Sequence, residues 1–183
     1  MRHEIIHSDS QALIDYAWEY ARDCHEGQKR KYTDEPYITH PIEVAQIVAS
    51  VTNDCNTICA AFLHDVVEDC GETRQTLIDV GFGHPIADLV LEVSDVSKPE
   101  DGNRAIRKAI DLSHLAGASI QGQTIKLADL IHNSSSILQY DPGFAKTYMA
   151  EKAQLLQVLT KGDRTLYNRA SVIVDNYYEE YKG

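Results

Sequence analysis

The sequence predicts an all-α fold, a bundle of about eight to ten helices around one metal site, and three observations predict it. Apolar residues recur at spacings of three and four through most of the chain. No stretch alternates apolar with polar residues as a half-buried strand does, and glycine, proline and short polar residues fall where the helical periods stop. The run Ala60-Ala61-Phe62-Leu63-His64-Asp65-Val66-Val67-Glu68-Asp69 sets one imidazole and three carboxylates into an otherwise apolar helix.

The elements follow in order. Ser8-Asp9-Ser10 offers an N-cap for a first helix carrying Leu13, Ala17, Ala21 and Cys24, with Gly27 as its stop. Residues 28–39 have no apolar period and read as a loop; Lys29-Arg30-Lys31 within it is the densest basic run of the chain. His40-Pro41 opens a second helix with His40 at or near the N-cap, and Val44, Ala45, Ile47, Val48 and Val51 form its buried stripe. A third helix is expected from about Asn56 to Asp69, ended by Gly71, then a short one over Thr73–Val80 and another from Pro85 with Ile86, Leu89, Val90 and Val93 inward. After a loop at 97–103, Arg104, Arg107 and Lys108 share one helix face. Ala116-Gly117-Ala118 breaks that pattern, and a long helix runs from Ser119 to about Tyr140. Two closing helices, about Phe144–Leu159 and Arg164–Tyr181, are separated by Lys161-Gly162 with Asp163 as N-cap. Tyr177, Tyr178 and Tyr181 make the last helix aromatic, for packing.

A chain of 183 residues is expected to form a single domain over 1–183 with a core of its own. The net charge of −11 argues against a general nucleic-acid or anionic-membrane binder, whose footprint is basic. No apolar stretch approaches the length of about 18 residues that a membrane span needs, and the first residues lack a signal-peptide pattern. The four cysteines, Cys24, Cys55, Cys59 and Cys70, form no Cys-x-x-Cys pair and read as buried thiols of a cytoplasmic protein. A homo-oligomer is compatible with all of this.

On a helix, His64 and Glu68 share a face, as do Asp65 and Asp69. Burying such a group is costly unless a partner offsets it, and imidazole nitrogen with carboxylate oxygen suits manganese, iron or zinc. The plain alternative is an acidic stripe facing water. Asp129, between Ala128 and Leu130, likewise needs a partner, which for an isolated Asp is usually a hydrogen bond. A lone His at a helix start, such as His40, is more often a cap than a ligand.

Taken together, these residues carry a resemblance. His40, then His64-Asp65, then Asp129 stand in the ligand order of the HD phosphohydrolase superfamily. Tyr37-Ile38-Thr39-His40-Pro41, Phe62-Leu63-His64-Asp65-Val66-Val67-Glu68-Asp69 and Ile125-Lys126-Leu127-Ala128-Asp129-Leu130-Ile131-His132-Asn133 closely resemble the hydrolase domain of RelA/SpoT homologues and the single-domain small alarmone hydrolases. The likeness runs from about Ala17 to Leu159 and implies an HD-type bundle without the synthetase domain of the long homologues. It implies removal of the 3′-pyrophosphate from guanosine tetra- and pentaphosphate, giving GDP or GTP and pyrophosphate, with one divalent ion, manganese, as cofactor. His40, His64, Asp65 and Asp129 are then the metal ligands, and Glu68 and Asp69 the acids that orient and deprotonate the attacking water. Arg30 and Lys31 grip substrate phosphates, Asn133 and Tyr148 stand on the substrate side, and Lys29, Arg104 and Lys108 are further candidates. Ser134-Ser135 replaces the Met-Arg of the long homologues, and Phe144 stands where the animal enzyme has an Arg. Both changes remove a cation near the nucleotide end, for which Arg104, Arg107 or Lys108 could compensate. Rival readings are a phosphohydrolase of adenosine alarmones or of NADPH, and a catalytically silent nucleotide-binding module.

Overall fold

The computed structural model describes the backbone of residues 2–180 and the side chains of residues 9–180. Among the described residues the chain forms ten α-helices, and its β-structure is an isolated bridge between Lys29 and Pro36. The all-α expectation holds. Among the described residues no helix is long and apolar enough to cross a membrane. The helices gather into two compact units, Met1–Ser94 and Asp95–Gly183.

In the first unit α1 (Arg2–Cys24), α2 (Thr39–Ala49) and α6 (Gly83–Val93) pack on α3 (Cys55–Leu63), while α4 (Val66–Cys70) lies against α1 and α5 (Arg74–Asp79) against α6. The core takes Ala17 and Ala21, Val44, Ala45 and Val48, and Ile86, Val90 and Val93 from the predicted stripes, together with Ile58 to Ala61 and Leu63, whereas Leu13, Ile47 and Leu89 are only half-buried. Ser8-Asp9-Ser10 is not a helix start, since α1 already begins at Arg2. Short polar residues cost only tenths of a kcal/mol inside a helix, so the cap-like triplet is carried within it. The side chain of Ser8 and all of Tyr181 lie outside the described residues.

The larger difference concerns the expected helix over 56–69, which is two helices broken at His64-Asp65. Asp54 caps α3 by accepting from the Thr57 amide. The His64 ring stands 2.8 Å from the Ala61 carbonyl, and Asp65 sits at φ −101°, ψ −6°, where chains turn. Gly71, left-handed at φ 75°, then closes α4 as its position in the sequence predicts. The loop over 28–39 is pinned by the Arg30 amide on the Glu35 carbonyl and the Tyr37 amide on the Gln28 carbonyl, which delivers Tyr37 and His40 to the start of α2.

In the second unit α8 (Ile120–Tyr140) packs on α9 (Pro142–Val158) and α10 (Arg164–Glu180), and α7 (Arg104–Gly117) packs on α9. Asp163 caps α10 as predicted, and Asn103 and Ser119 cap α7 and α8 by accepting from the Ile106 and Gly122 amides. Gly162 is required by close approach, because a Cβ there would lie 2.7 Å from Leu127 Cδ1 and 3.1 Å from the Gln123 backbone. Tyr177 joins the core of this unit, whereas Tyr178 is exposed.

Candidate metal centre

The first unit brings three of the predicted ligands together. His40 on the first turn of α2 and His64 at the end of α3 are buried, and Asp65 follows at the break. The two Nε2 atoms are 3.2 Å apart, and Asp65 Oδ2 lies 3.4 Å from that of His40 and 3.1 Å from that of His64. A continuous helix would point consecutive side chains about 100° apart. The break after Leu63 is what turns His64 and Asp65 toward one point.

The chemistry of this trio asks for a cation. The Ala61 carbonyl can only accept, so His64 Nδ1 carries the proton and Nε2 presents a bare lone pair. That lone pair faces a carboxylate oxygen and a second imidazole nitrogen, a cluster of donor atoms that one cation can bridge. Donor atoms bound to one ion at about 2.1–2.2 Å are about 3.0–3.5 Å from each other, the spacing found here. Burial works against ionisation of Asp65, but the two imidazoles beside it, His64 foremost, prevail and hold its carboxyl well below the usual range. The residues present therefore fit a divalent ion.

The surroundings are aromatic and polar. The Tyr37 hydroxyl donates to Asp65 Oδ2 at 2.7 Å, while its ring lies against His25 and meets the edge of His40. His25 is buried with Nδ1 2.8 Å from Gln28 Oε1, and Gln28 in turn donates to the Asp69 carbonyl. Glu68 and Asp69 are carried by α4 with their surfaces open to solvent. Packing around its carboxylate and the nearby Asp65 charge raise the pKa of Asp69, which makes it a stronger base. Arg30 lies over the Tyr37 ring, 5.7 Å from its centroid, and so reaches the neighbourhood of the trio. Lys29 pairs with Asp34, and Lys31 contacts Tyr32.

The remaining predicted residues belong to the second unit. Asp129 is buried on α8, where Asn133 donates to Oδ1 and the Lys126 ammonium stands 3.5 Å from Oδ2. Tyr148 is buried on α9, its hydroxyl 3.5 Å from Ser134 Oγ. Arg104 makes a two-pronged pair with Glu151 and lies over Phe144, and Lys108 pairs with Asp95 at 2.6 Å. These two cations line a cavity of about 240 Å³ with Asp95, Ser97, Arg107 and Asp111. Asp111 is buried and accepts from the Val96 and Ser97 amides and the Ser97 hydroxyl, holding the loop before α7.

Sequence reasoning missed His25, Asp111 and the hydroxyl of Tyr37. A buried acid at an inward position of the α7 stripe was the available signal for Asp111. For Tyr37 the signal was its place three residues before His40; nothing marked His25.

Comparison with known proteins agrees with this geometry. Residues 17–156 match the HD domain family. The guanosine-3′,5′-bis(diphosphate) 3′-pyrophosphohydrolase of Vibrio cholerae is 42% identical over 120 residues, covering 64% of this chain and 17% of that protein. The bifunctional (p)ppGpp synthase/hydrolase SpoT of Escherichia coli is 36% identical over 146 residues, covering 78% and 20% respectively. The chain thus spans about a fifth of the length of these curated relatives. Among solved structures, a metazoan orthologue of SpoT that hydrolyses ppGpp superposes with a TM-score of 0.82 at 25% identity, covering 91% of this chain and 96% of that one. A protein from Listeria monocytogenes shares the fold, with a TM-score of 0.63 at 19% identity over 76% of this chain and 99% of its own.

Proposed function

Because this chain belongs to the HD domain family, we propose that it is a metal-dependent 3′-pyrophosphohydrolase of guanosine tetra- and pentaphosphate, releasing GDP or GTP and pyrophosphate. The observation that carries this reading is the trio of donor atoms 3.1–3.4 Å apart on His40, His64 and Asp65, in a chain whose relatives bear that activity in their names. The chain works as one HD hydrolase domain over 1–183, a reading supported by a family match that spans residues 17–156 and so reaches into both units.

His40, His64 and Asp65 hold the ion, and Asp129 is inferred as the fourth ligand from its place in the family's residue order. Two imidazoles with two carboxylates suit manganese, which we take as the physiological ion. The bound ion supplies Lewis acidity toward the phosphoryl group and toward the water that attacks it. The chain does the rest. Asp69 and Glu68, one turn beyond the His64-Asp65 break, orient that water and take its proton. Arg30 and Lys31 neutralise phosphate charge, the guanidinium as a two-pronged donor. Lys29 adds to the local positive field, although its pair with Asp34 sets it apart from Arg30. Asn133, Tyr148, Arg104 and Lys108 serve the nucleotide side. The protein acts in the cytoplasm on a small nucleotide, without nucleic acid or membrane as partner, alone or as a homo-oligomer.

The test is turnover of guanosine tetraphosphate with added manganese, with products separated by ion exchange. GDP and inorganic pyrophosphate in equal amounts are expected. Release of inorganic phosphate alone, or no release across guanosine and adenosine 3′-pyrophosphates, would overturn the assignment.

A further inference from the structure

The helix α4 is five residues long and carries both proposed catalytic acids, Glu68 and Asp69. A helix shorter than about 12–15 residues is marginal in water on its own, and its last carbonyls have no partner within it. The chain supplies such partners from outside. The Gly71 and Glu72 amides return to the Val66 carbonyl, and the Asp69 carbonyl accepts from Gln28 Nε2 at 3.3 Å. Gln28 therefore fastens the backbone of the proposed base from a loop 41 residues earlier in the chain.

His25 fixes which way the Gln28 amide points. Its Nδ1 lies 2.8 Å from Gln28 Oε1, while the Gln28 nitrogen faces the Asp69 carbonyl and, at 3.7 Å, the Cys70 sulfur. A flipped amide would set its oxygen against that carbonyl, so Oε1 accepts from His25 and Nδ1 carries the proton. The Cys70 sulfur, 3.4 Å from the same Nδ1, is a weaker second acceptor. His25 is 3% exposed, and its Nε2 is buried without a hydrogen-bond partner among the described residues. Nδ1 is thus the atom through which the ring acts.

The Gln28 backbone reaches the metal side as well. Its carbonyl accepts from the Tyr37 amide at 2.9 Å, and the Tyr37 hydroxyl holds Asp65. Gln28 is tied by its side chain to the helix of the base and by its main chain to the residue that holds a metal ligand.

We propose that Gln28, oriented by His25, is a positioning residue that keeps Asp69 in place beside the ion-binding trio. The proposal rests on the reading of Asp69 as an acid that takes the proton of the attacking water. Such a base works only within hydrogen-bond reach of that proton, so a loosened α4 slows the chemical step and leaves ion and substrate binding in place.

The test compares the full-length wild type with Gln28→Met, His25→Phe and His25→Asn. Gln28→Met fills similar space without either hydrogen bond. His25→Phe keeps a ring against Tyr37 and loses the donor, whereas His25→Asn loses the ring and keeps an amide donor near the place of Nδ1. With guanosine tetraphosphate and manganese, kcat is expected to fall about tenfold in Q28M and H25F, with KM and manganese affinity within about twofold of the wild type. H25N should recover most of that loss. Amide hydrogen exchange at Asp69, Gly71 and Glu72, whose N–H groups close α4, should quicken about tenfold in Q28M and H25F but not in H25N. A packing role for His25 predicts the opposite order, because the ring lost to Asn is then the larger change. Unchanged kcat or unchanged exchange in Q28M, or an H25N as impaired as H25F, would overturn the proposal. Should H25F fail to fold, Q28M and H25N decide it. If the wild type turns over no 3′-pyrophosphate yet exchange still quickens in Q28M, the function assigned above falls and Gln28 stands as the tether of α4.

Discussion

At the scale of single residues, the candidate centre depends on hydrogen bonds that decide which atoms face the ion. The Ala61 carbonyl selects the His64 tautomer, and the Tyr37 hydroxyl fixes Asp65 through a bond of 2.7 Å to Oδ2. Partners of this kind typically carry a 10–100-fold share of metal affinity. Tyr37→Phe removes the hydroxyl and keeps the ring against His25 and His40, so manganese affinity measured by chelator competition should fall at least about tenfold. An unchanged affinity would show that Asp65 is held by its neighbours alone. Asp69 gives a second prediction, with a definite sign. Its folded pKa is raised, by packing first and by Asp65 second, so its ionisation opposes folding. That penalty is absent below the unfolded pKa and complete above the folded one. Metal-free Asp69→Asn should therefore melt higher than the wild type at neutral pH, and the gain should vanish as the pH falls below about 4. A gain that persists in acid would point to packing rather than charge. The types of residue in the site were legible because a carboxylate or imidazole amid apolar neighbours demands a partner. Which partner each one takes was not: Lys126 on Asp129 and Arg104 on Glu151 depend on which helix faces meet.

At the scale of elements, the break after Leu63 does most to build the centre, and it is the feature the sequence concealed. Ala60 to Asp69 contains neither glycine nor proline, and each residue is acceptable inside a helix. Spacing alone therefore extends one helix through it and places Asp65 with Asp69 on one face. In the structure the chain turns at His64-Asp65, and α4 restarts for five residues before Gly71 ends it. The stop was legible because glycine at φ 75° has a backbone reason to be there, whereas the break is imposed by tertiary packing around His64. A Cβ on Gly71 would meet nothing within 4 Å, so the cost of Gly71→Ala is conformational alone. It should destabilise the protein by about 1–2 kcal/mol in denaturant titrations. Because Asp69 lies on this short helix, the same variant should lose turnover on guanosine tetraphosphate more than it loses manganese affinity. A fully active G71A protein would mean that α4 need not be held to work.

At the scale of the whole molecule, the charge is the dominant fact. In a chain with a net charge of −11, a buried carboxylate is costly unless a cation or hydrogen-bond donors offset it. The helical class was legible throughout, because period and caps are local properties; the partition into units meeting at Ser94 and Asp95 was not, since it depends on which stripes pack together. The trio in Met1–Ser94 and Asp129 in Asp95–Gly183 are joined in the proposed ligand set, and binding to the folded state alone stabilises it by mass action. An ion at about 100 times its dissociation constant contributes about 2.7 kcal/mol. For a chain of this length that corresponds to a melting temperature about 5–10 °C higher than after stringent chelation. Restoring manganese should restore the melting temperature, and Asp129→Ala should show a smaller shift because one proposed ligand is gone. Equal shifts in the wild type and D129A would confine the ion to His40, His64 and Asp65. No shift in either would mean that the folded protein holds no ion at this centre.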